Sequence, residues 1–238
     1  MRPFKIAKKT KIYISLALAL LCTPVMAKGE DLSQVIRLAN QGDVISQTNL
    51  AEMYYKGQGV RQDYQKALEW TQKAANQGDE GAQYNLGVMY YDGRGVPQDY
   101  PKALEWYTKA ANQGNEGAQN NLGWMYYKGQ GVRQDYQKAF EWFTKAANQE
   151  SSYAQNNLGW MYYKGQGVRQ DSQKAFEWYT KAANQGHAKA QFNLGVMYEE
   201  GQGVRQDYRK AKERFGLSCD NGDQLGCDAY KKLNQRGF

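Results

Sequence analysis

Side chains that commonly catalyse reactions or bind metals are scarce in this chain. Its 238 residues include one histidine and three cysteines. His187 has no second histidine with which to share a metal ion and no evident nucleophile to activate. The recurrent Gly-x-Gly, as at Gly93 and Gly95, lies between two predicted helices and does not follow a strand, so it is not a phosphate-binding loop. The sequence therefore predicts a non-enzymatic protein with no cofactor, no metal and no catalytic residue.

Aromatic side chains are the second kind of residue that could carry a function, because they anchor binding partners. Trp124 and Trp160 stand 36 residues apart, and a tyrosine follows each of them three residues later. At helical spacing these side chains point away from the apolar face that carries Leu86 and Met89 in a neighbouring copy of the pattern. Large rings are unusual in solvent unless a partner covers them. The predicted partner-binding residues are Tyr84, Val88, Tyr91, Asn120, Trp124, Tyr127, Asn156, Trp160, Tyr163, Phe192 and Val196.

Some residues near this face have a structural explanation that competes with binding. The rings of Tyr91, Tyr127 and Tyr163 could equally pack against the flanking helices of the same face. Four asparagines at another position of the repeat recur without change, and each is predicted to bond the backbone of the neighbouring repeat. The members of that set are Asn85, Asn121, Asn157 and Asn193.

Short helices repeated at a fixed step must position these residues. Glycines recur every 36 residues, at Gly59, Gly95, Gly131, Gly167 and Gly203. A fixed period of about 20 to 50 residues is typical of a stacked array, in which each unit packs only on its neighbours. The predicted fold class is therefore an all-α solenoid of helix pairs.

Each unit is predicted to contain two helices, which we call helix A and helix B. In the second unit helix A covers Ala82–Tyr91, and Gly93 ends it in the left-handed conformation. Asp99 is placed to cap helix B, which covers Tyr100–Asn112. Gly87 inside helix A costs about 1 kcal/mol relative to alanine, and we expect a closely approaching helix to offset that cost. Half units at both ends bring the total to about twelve helices.

The first 27 residues have the layout of a secretory signal peptide. A basic segment precedes a short apolar run over Ile12–Leu21, and modest side chains from Val25 to Ala27 precede a cut before Lys28. The apolar run is about half the ~20 residues that a membrane span needs. We expect export to the periplasm or beyond, without stable membrane insertion. The expected organisation is a signal peptide over 1–27, an N-terminal half-repeat over 28–43, five repeats over 44–222 and a C-terminal capping helix over 223–238.

The net charge does not indicate a nucleic-acid ligand. The whole chain carries 31 Lys and Arg against 24 Asp and Glu. Five of the basic residues lie in the signal peptide, which leaves 26 against 24. The two signs are interspersed along the remaining chain, as on an ordinary solvated surface. We therefore predict no binding of nucleic acid.

The string shared by the copies resembles the Sel1-like repeat. From Ala82 to Ala111 its landmarks are Ala-x-x-Asn-Leu-Gly-x-Met-Tyr-x-x-Gly-x-Gly-Val-x-x-Asp-x-x-Lys-Ala-x-x-Trp-x-x-Lys-Ala-Ala. That family is a relative of the tetratricopeptide repeat, and the resemblance covers essentially all of the chain after the signal peptide. It implies a right-handed α/α superhelix with helix A on the concave side. It also implies a role in protein–protein interaction, often in bacterial envelopes or in contact with host cells.

Cys219 and Cys227 remain once Cys22 has left with the signal peptide. When an exported chain contains only two cysteines, they are expected to form a disulfide. The pair also resembles the cysteine-rich subset of Sel1-repeat proteins, in which two cysteines separated by seven residues bridge helix B to the next helix A. The resemblance implies a bridge that holds the last helix and contributes ~2–3 kcal/mol.

One joint between repeats departs from the pattern. Residues 118–149 and 154–185 differ at only two positions, yet the joint between them reads Gln-Glu-Ser-Ser-Tyr over 149–153. Glu150 replaces a capping glycine, at a cost of ~1 kcal/mol if the left-handed geometry is kept. One explanation is drift after a recent duplication. The other is a local kink that widens the groove beside Trp160.

Two functions fit these observations. The first is an exported scaffold that binds a protein or peptide segment on the aromatic face of its A helices. The alternative is a carbohydrate-binding module, in which Trp and Tyr rings stack on sugars and Asn side chains bond hydroxyl groups.

Overall fold

The computed structural model describes residues 32–238, so the predicted signal peptide lies outside the described residues. Twelve α-helices and no strand make up this part of the chain, which confirms the all-α repeat fold. The helices are α1 (Leu32–Asn40), α2 (Val44–Lys56), α3 (Tyr64–Asn76), α4 (Glu80–Asp92), α5 (Tyr100–Asn112), α6 (Glu116–Lys128), α7 (Tyr136–Asn148), α8 (Ser152–Lys164), α9 (Ser172–Asn184), α10 (Ala188–Glu200), α11 (Tyr208–Asp220) and α12 (Gln224–Gln235).

Even-numbered helices are the A helices and odd-numbered helices are the B helices. Each A helix packs on the B helix before it, and each A helix up to α10 also packs on the B helix that follows it, so the core runs along the array and has no single centre. Helix A of the second unit starts earlier than predicted, because the Asp79 side chain accepts a hydrogen bond from the Ala82 amide and caps α4. Helix B covers the predicted residues, and Asp99 caps it as expected.

Two glycines follow α4, and the second of them marks the 36-residue step. Gly93 supplies the left-handed cap of α4 with φ of 72°. Gly95 has the same φ, and a Cβ built on it would lie 2.3 Å from the backbone oxygen of Tyr64 in the preceding repeat. Only glycine permits both the left-handed turn and this backbone approach. The recurring glycine therefore fixes how each repeat sits on the one before it.

In α4, α6, α8 and α10 a glycine inside the A helix faces a buried aromatic ring of the following B helix. A Cβ built on Gly87 would lie 2.5 Å from Cδ1 of Tyr107, and the same distance separates Gly123 from Cδ1 of Phe143. This confirms the predicted close approach and identifies its partner as an aromatic side chain of the same unit. The first unit carries Ala51 and Thr71 in these two places, so a larger residue on helix A accompanies a smaller one on helix B.

A glutamine of each A helix from α2 to α10 links it to the helix before it. Gln83 Nε2, for example, donates to the carbonyl oxygen of Ala75 at 3.2 Å. Five joints carry this bond over a separation of eight residues. At the sixth joint Cys227 and Cys219 occupy the same two places and form a disulfide, with their Cα atoms 4.5 Å apart. The disulfide thus replaces the repeat's own hydrogen bond where α12 closes the array.

Reduction of this disulfide is expected to destabilise α12 by about 2–3 kcal/mol, because the closed loop restricts the unfolded chain. Hydrogen exchange of the α12 amides, measured with and without a reductant, would report the change. The variant Cys219→Ala/Cys227→Gln restores the pair used at the other joints and should be insensitive to the reductant. Equal protection of α12 in the oxidised and reduced protein would show that the bridge contributes nothing.

The divergent joint keeps the turn of its neighbours. Glu150 adopts the left-handed conformation with φ of 67°, alone among the non-glycine residues of 32–238. Its amide donates to Ala147 O at 3.0 Å, as the Gly114 amide does to Ala111 O at 3.1 Å. Ser151 makes no side-chain capping bond to α8. The joint is therefore a strained and uncapped copy of the ordinary turn, which favours drift over a kink.

Glu150→Gly is expected to raise the free energy of unfolding by about 1 kcal/mol, because glycine adopts the left-handed conformation without a Cβ penalty. Chemical denaturation of the two proteins would measure the difference. Glu150→Ala is the matched control, since it removes the same carboxylate but keeps a Cβ. Equal gains in both variants would mean that the charge of Glu150, and not its backbone, causes the strain.

Candidate functional site

Successive A helices lie side by side, so their matching side chains form one continuous surface. Asn157 Nδ2 on α8 donates to Asn120 Oδ1 on α6 at 3.1 Å, and Asn193 Nδ2 on α10 donates to Asn156 Oδ1 at 3.1 Å. Trp160 Nε1 donates to the hydroxyl of Tyr127 at 3.1 Å. These contacts cross from one repeat to the next and hold the predicted partner-binding residues in register.

A groove of about 360 Å³ opens on this surface between α6, α8, α10 and the start of α12. We call it the aromatic groove. It brings together five of the predicted residues, namely Trp124, Tyr127, Asn156, Trp160 and Phe192. The other lining residues are Phe143, Asn157, Met161, Lys189, Asn193, Asp223 and Leu225.

The two tryptophans of the aromatic groove differ in how they are held. Trp124 is half-buried and packs edge-on against Phe143 and Tyr127, with ring centroids 5.8 Å and 5.3 Å away. Trp160 keeps 38% of its surface exposed, and its indole lies nearly parallel to the ring of Tyr163. The hydrogen bond from Trp160 to Tyr127 holds the indole, and Nζ of Lys164 lies 4.8 Å from its ring centroid. Trp160 is therefore a large aromatic side chain that is both exposed and held by a hydrogen bond.

The aromatic groove opens here because small asparagines replace a tyrosine. In the second unit the ring of Tyr84 packs against Tyr107, with centroids 5.8 Å apart, and covers Gly117 of the next unit. Asn120 and Asn156 occupy the place of Tyr84 in the next two units. An asparagine side chain is too small to fill the space that the tyrosine ring occupies. The difference in side-chain volume leaves the cavity between Trp124, Trp160 and Phe192.

Asn157 and Asn193 belong to the set of asparagines that recur without change between repeats. Both bond a side chain of the preceding repeat and not its backbone, which corrects the sequence prediction. Each donates to an asparagine of the preceding A helix, as described above. The hydroxyl of Tyr84 is hydrogen-bonded to Asn121 in the same way. The neighbouring repeat was predicted correctly, but the acceptor on it is a side-chain oxygen 37 residues away and not a backbone group. This ladder of side chains also engages the side-chain oxygens of Asn120 and Asn156.

Six of the predicted residues lie outside the aromatic groove, and the structure gives most of them a packing role. The Tyr91 hydroxyl donates to Gln130 Oε1 of the next unit at 2.9 Å, and the Tyr163 hydroxyl donates to Glu200 Oε2 at 3.4 Å. Tyr127 makes the equivalent bond to Gln166 while also lining the groove. Packing between repeats is thus the observed role of these tyrosines. The six residues are Tyr84, Val88, Tyr91, Asn120, Tyr163 and Val196.

The sequence comparison overlooked one column of residues that lines the groove. Lys189 and Leu225 stand three residues before the column of Tyr84, on the same face of their helices. Leu225 is 62% exposed. Across the repeats this column reads Ile45, Gly81, Gly117, Tyr153, Lys189 and Leu225. Its variation was visible in the sequence and would have identified both residues.

Burial and neighbouring charge shift the pKa values of several groups along the array. Burial raises the pKa of Tyr84 and raises that of Tyr107 well above its ordinary value, so both phenols remain hydrogen-bond donors. Burial, together with the nearby charge of Lys189, lowers the pKa of His187, whose Nδ1 accepts from the Ala190 amide at 3.2 Å. His187 is therefore a neutral helix cap. Across residues 32–238 no group of three His, Cys, Asp or Glu side chains could hold a metal ion.

The helix pairs and their 36-residue step define a solenoid protein, and an aromatic groove crosses several of its repeats. Sel1 repeats match residues 44–79, 81–115, 117–151, 152–187 and 188–223. The chain belongs to the Sel1 repeat family. Sel1 repeat proteins generally mediate protein–protein interaction. No helix within 32–238 is both long enough and apolar enough to span a bilayer.

Solved structures of Sel1 proteins resemble this one closely. A protective antigen of uropathogenic Escherichia coli has 37% identity and a TM-score of 0.82, and the match covers 87% of this chain and 44% of that chain. The chain thus spans less than half the length of that protein. A Sel1 repeat protein of Oxalobacter formigenes has 29% identity and a TM-score of 0.82, with 87% and 82% covered. A Sel1 repeat protein of Klebsiella pneumoniae has 28% identity and a TM-score of 0.54, with 85% and 98% covered. Among curated proteins no sequence matches the chain.

Proposed function

We propose that this protein is an exported, non-enzymatic scaffold that binds a segment of another protein in the aromatic groove. The observation that carries the proposal is the groove itself, in which the exposed indole of Trp160 stands beside Trp124 and Phe192. A concave, mostly apolar cleft with a few placed polar groups is the usual form of a binding site. The residues of the groove come from three successive repeats and α12, so an elongated ligand would contact all of them.

A peptide fits the groove better than a sugar does. The amide groups that could bond sugar hydroxyls are partly engaged, since Asn193 donates to Asn156 and Asn157 donates to Asn120. What remains available is chiefly aromatic and aliphatic surface, which favours apolar side chains of a peptide. The carbohydrate alternative keeps one supporting observation, the partly exposed indole of Trp160.

Export is supported by the layout of the first 27 residues and by the disulfide that closes the array. The likeness to a protective antigen of uropathogenic Escherichia coli agrees with a position outside the cytoplasm. A contact with envelope or host proteins follows from such a position. In this proposal α1 and α12 are the capping helices at the two ends of the described array.

Panning of a random peptide library and of a glycan array against the full chain would test the proposal. Peptides recovered by the wild type should lose binding to the variant Trp124→Ala/Trp160→Ala. Trp142→Ala, which removes a half-buried tryptophan from helix α7 away from the groove, should bind them normally. Recovery of glycans in place of peptides would establish the carbohydrate alternative, and peptide binding that survives the double substitution would refute the groove as the site.

A further inference from the structure

Three lysines surround the aromatic groove without a carboxylate partner. Lys189 lines the groove near the first turn of α10. Lys128 and Lys164 reach over the groove tryptophans, with Nζ 5.8 Å from the centroid of Trp124 and 4.8 Å from that of Trp160. All three are exposed, and in the described part of the chain none of them makes an ion pair. The rim of the groove is therefore positively charged.

In the first unit a carboxylate neutralises the lysine at the position of Lys128 and Lys164. Lys56 is the counterpart of Lys128 and Lys164, and it forms an ion pair with Glu52 one turn earlier on α2. The place of Glu52 is taken by Trp124 and Trp160 in the third and fourth units. The substitution that creates the aromatic anchor thus also removes the carboxylate that would have paired with the lysine.

Acidic groups close to the groove are already engaged. Asp223 lines the groove, but its Oδ1 accepts from the Leu225 amide at 3.2 Å and its Oδ2 accepts from Ser218 Oγ at 3.1 Å. At the far end Glu199 pairs with Arg236 at 3.4 Å. Glu200 accepts from the Tyr163 hydroxyl. Asp223 and Glu200 bond only neutral donors and keep their charges, but the three lysines outnumber them. The rim therefore carries a net positive charge above an apolar and aromatic floor.

We infer that the partner segment is acidic as well as apolar: it places apolar side chains on Trp124, Trp160 and Phe192 and carboxylates beside Lys128, Lys164 and Lys189. This inference rests on the proposed function and specifies the chemistry of its ligand. Charge complementarity at the rim of an interface selects partners and speeds association. Lysines already positioned by aromatic rings lose little freedom on pairing with a carboxylate.

Displayed libraries of short peptides would test the inference with the full chain. Three libraries would share random Leu, Phe, Trp and Gly positions and differ only in the polar residue, which would be Glu, Gln or Lys. The wild type should enrich the Glu library, and its affinity for those peptides should fall as salt is added. The variant Lys164→Glu/Lys189→Glu should lose about tenfold in affinity for them and enrich the Lys library instead. Lys145→Glu, a lysine over Trp142 on the other side of the array, should change neither result.

The possible failures separate the inference from the proposed function. Equal enrichment of the Gln library, with binding that is lost in Trp124→Ala/Trp160→Ala, would overturn the acidic partner and leave the groove as a peptide site. Enrichment of the Lys library by the wild type would overturn it as well. If no library yields peptides whose binding depends on the tryptophans, both the inference and the proposed function fall. Circular dichroism of each variant would show that lost binding does not come from lost folding.

Discussion

Asn156→Tyr is expected to reduce peptide binding by about 100-fold, because the new ring would fill the aromatic groove and block its anchors. The fold should tolerate the change, since Tyr84 occupies the same place in the second unit and its hydroxyl keeps the bond to the next repeat. Gly117 lies under Tyr84, and its counterpart here is Lys189, whose exposed side chain can move aside. Fluorescence titration with a recovered peptide would measure the loss.

Asn184→Tyr is the matched control, because it makes the same substitution at an exposed position near the end of α9, outside the groove. It should bind the peptide as the wild type does. The melting temperatures of both variants should stay close to that of the wild type. Undiminished binding by Asn156→Tyr would show that the ligand does not enter the groove, even if the tryptophans contribute elsewhere.

Gly123→Ala is expected to lower the free energy of unfolding by about 3 kcal/mol. A Cβ at this position would lie 2.5 Å from two carbon atoms of the Phe143 ring, which is fully buried and has no room to turn away. Alanine is otherwise the better helix former, so propensity alone predicts a gain and packing predicts a loss. Chemical denaturation followed by circular dichroism would decide the sign.

A double-mutant cycle with Phe143→Thr would identify the cause of the loss. The first unit pairs Ala51 with Thr71 at these two positions, so Gly123→Ala should cost little once the ring is gone. Phe143→Thr alone removes a buried aromatic and should be destabilising by itself. The double variant should then be about as stable as Phe143→Thr. Additive losses would show that Gly123 is required for a reason other than the ring.

Helix positions and caps could be predicted from the sequence because they depend on neighbouring residues. Asp99 accepts from an amide three residues away, and Gly93 closes the turn of its own helix. The repeat itself made these predictions secure, since every landmark recurs in register. The start of α4 was the exception, because Asp79 caps it from a turn that was not assigned to the helix.

The site could be predicted only in part. Trp124, Trp160 and Phe192 were found because they break the repeat on the face opposite the core. Lys189 and Leu225 were missed because the prediction covers the columns of Tyr84, Val88 and Tyr91 but not the column three residues before Tyr84. Tyr91 and Tyr163 were included although their hydroxyls bond the next unit, a contact that lies 37 to 39 residues away in the chain.

The number of helices, the step between them and the residues that vary along helix A can be read from the amino-acid sequence, because they follow from local propensity and from comparison of one copy with another. The position of the groove depends on tertiary packing, because side chains of different repeats compete for the same space. Tyr84 fills it in one unit, whereas Asn156 leaves it empty beside Trp160. The volume of each side chain follows from the sequence, but which neighbour it contacts depends on how one repeat packs on the next.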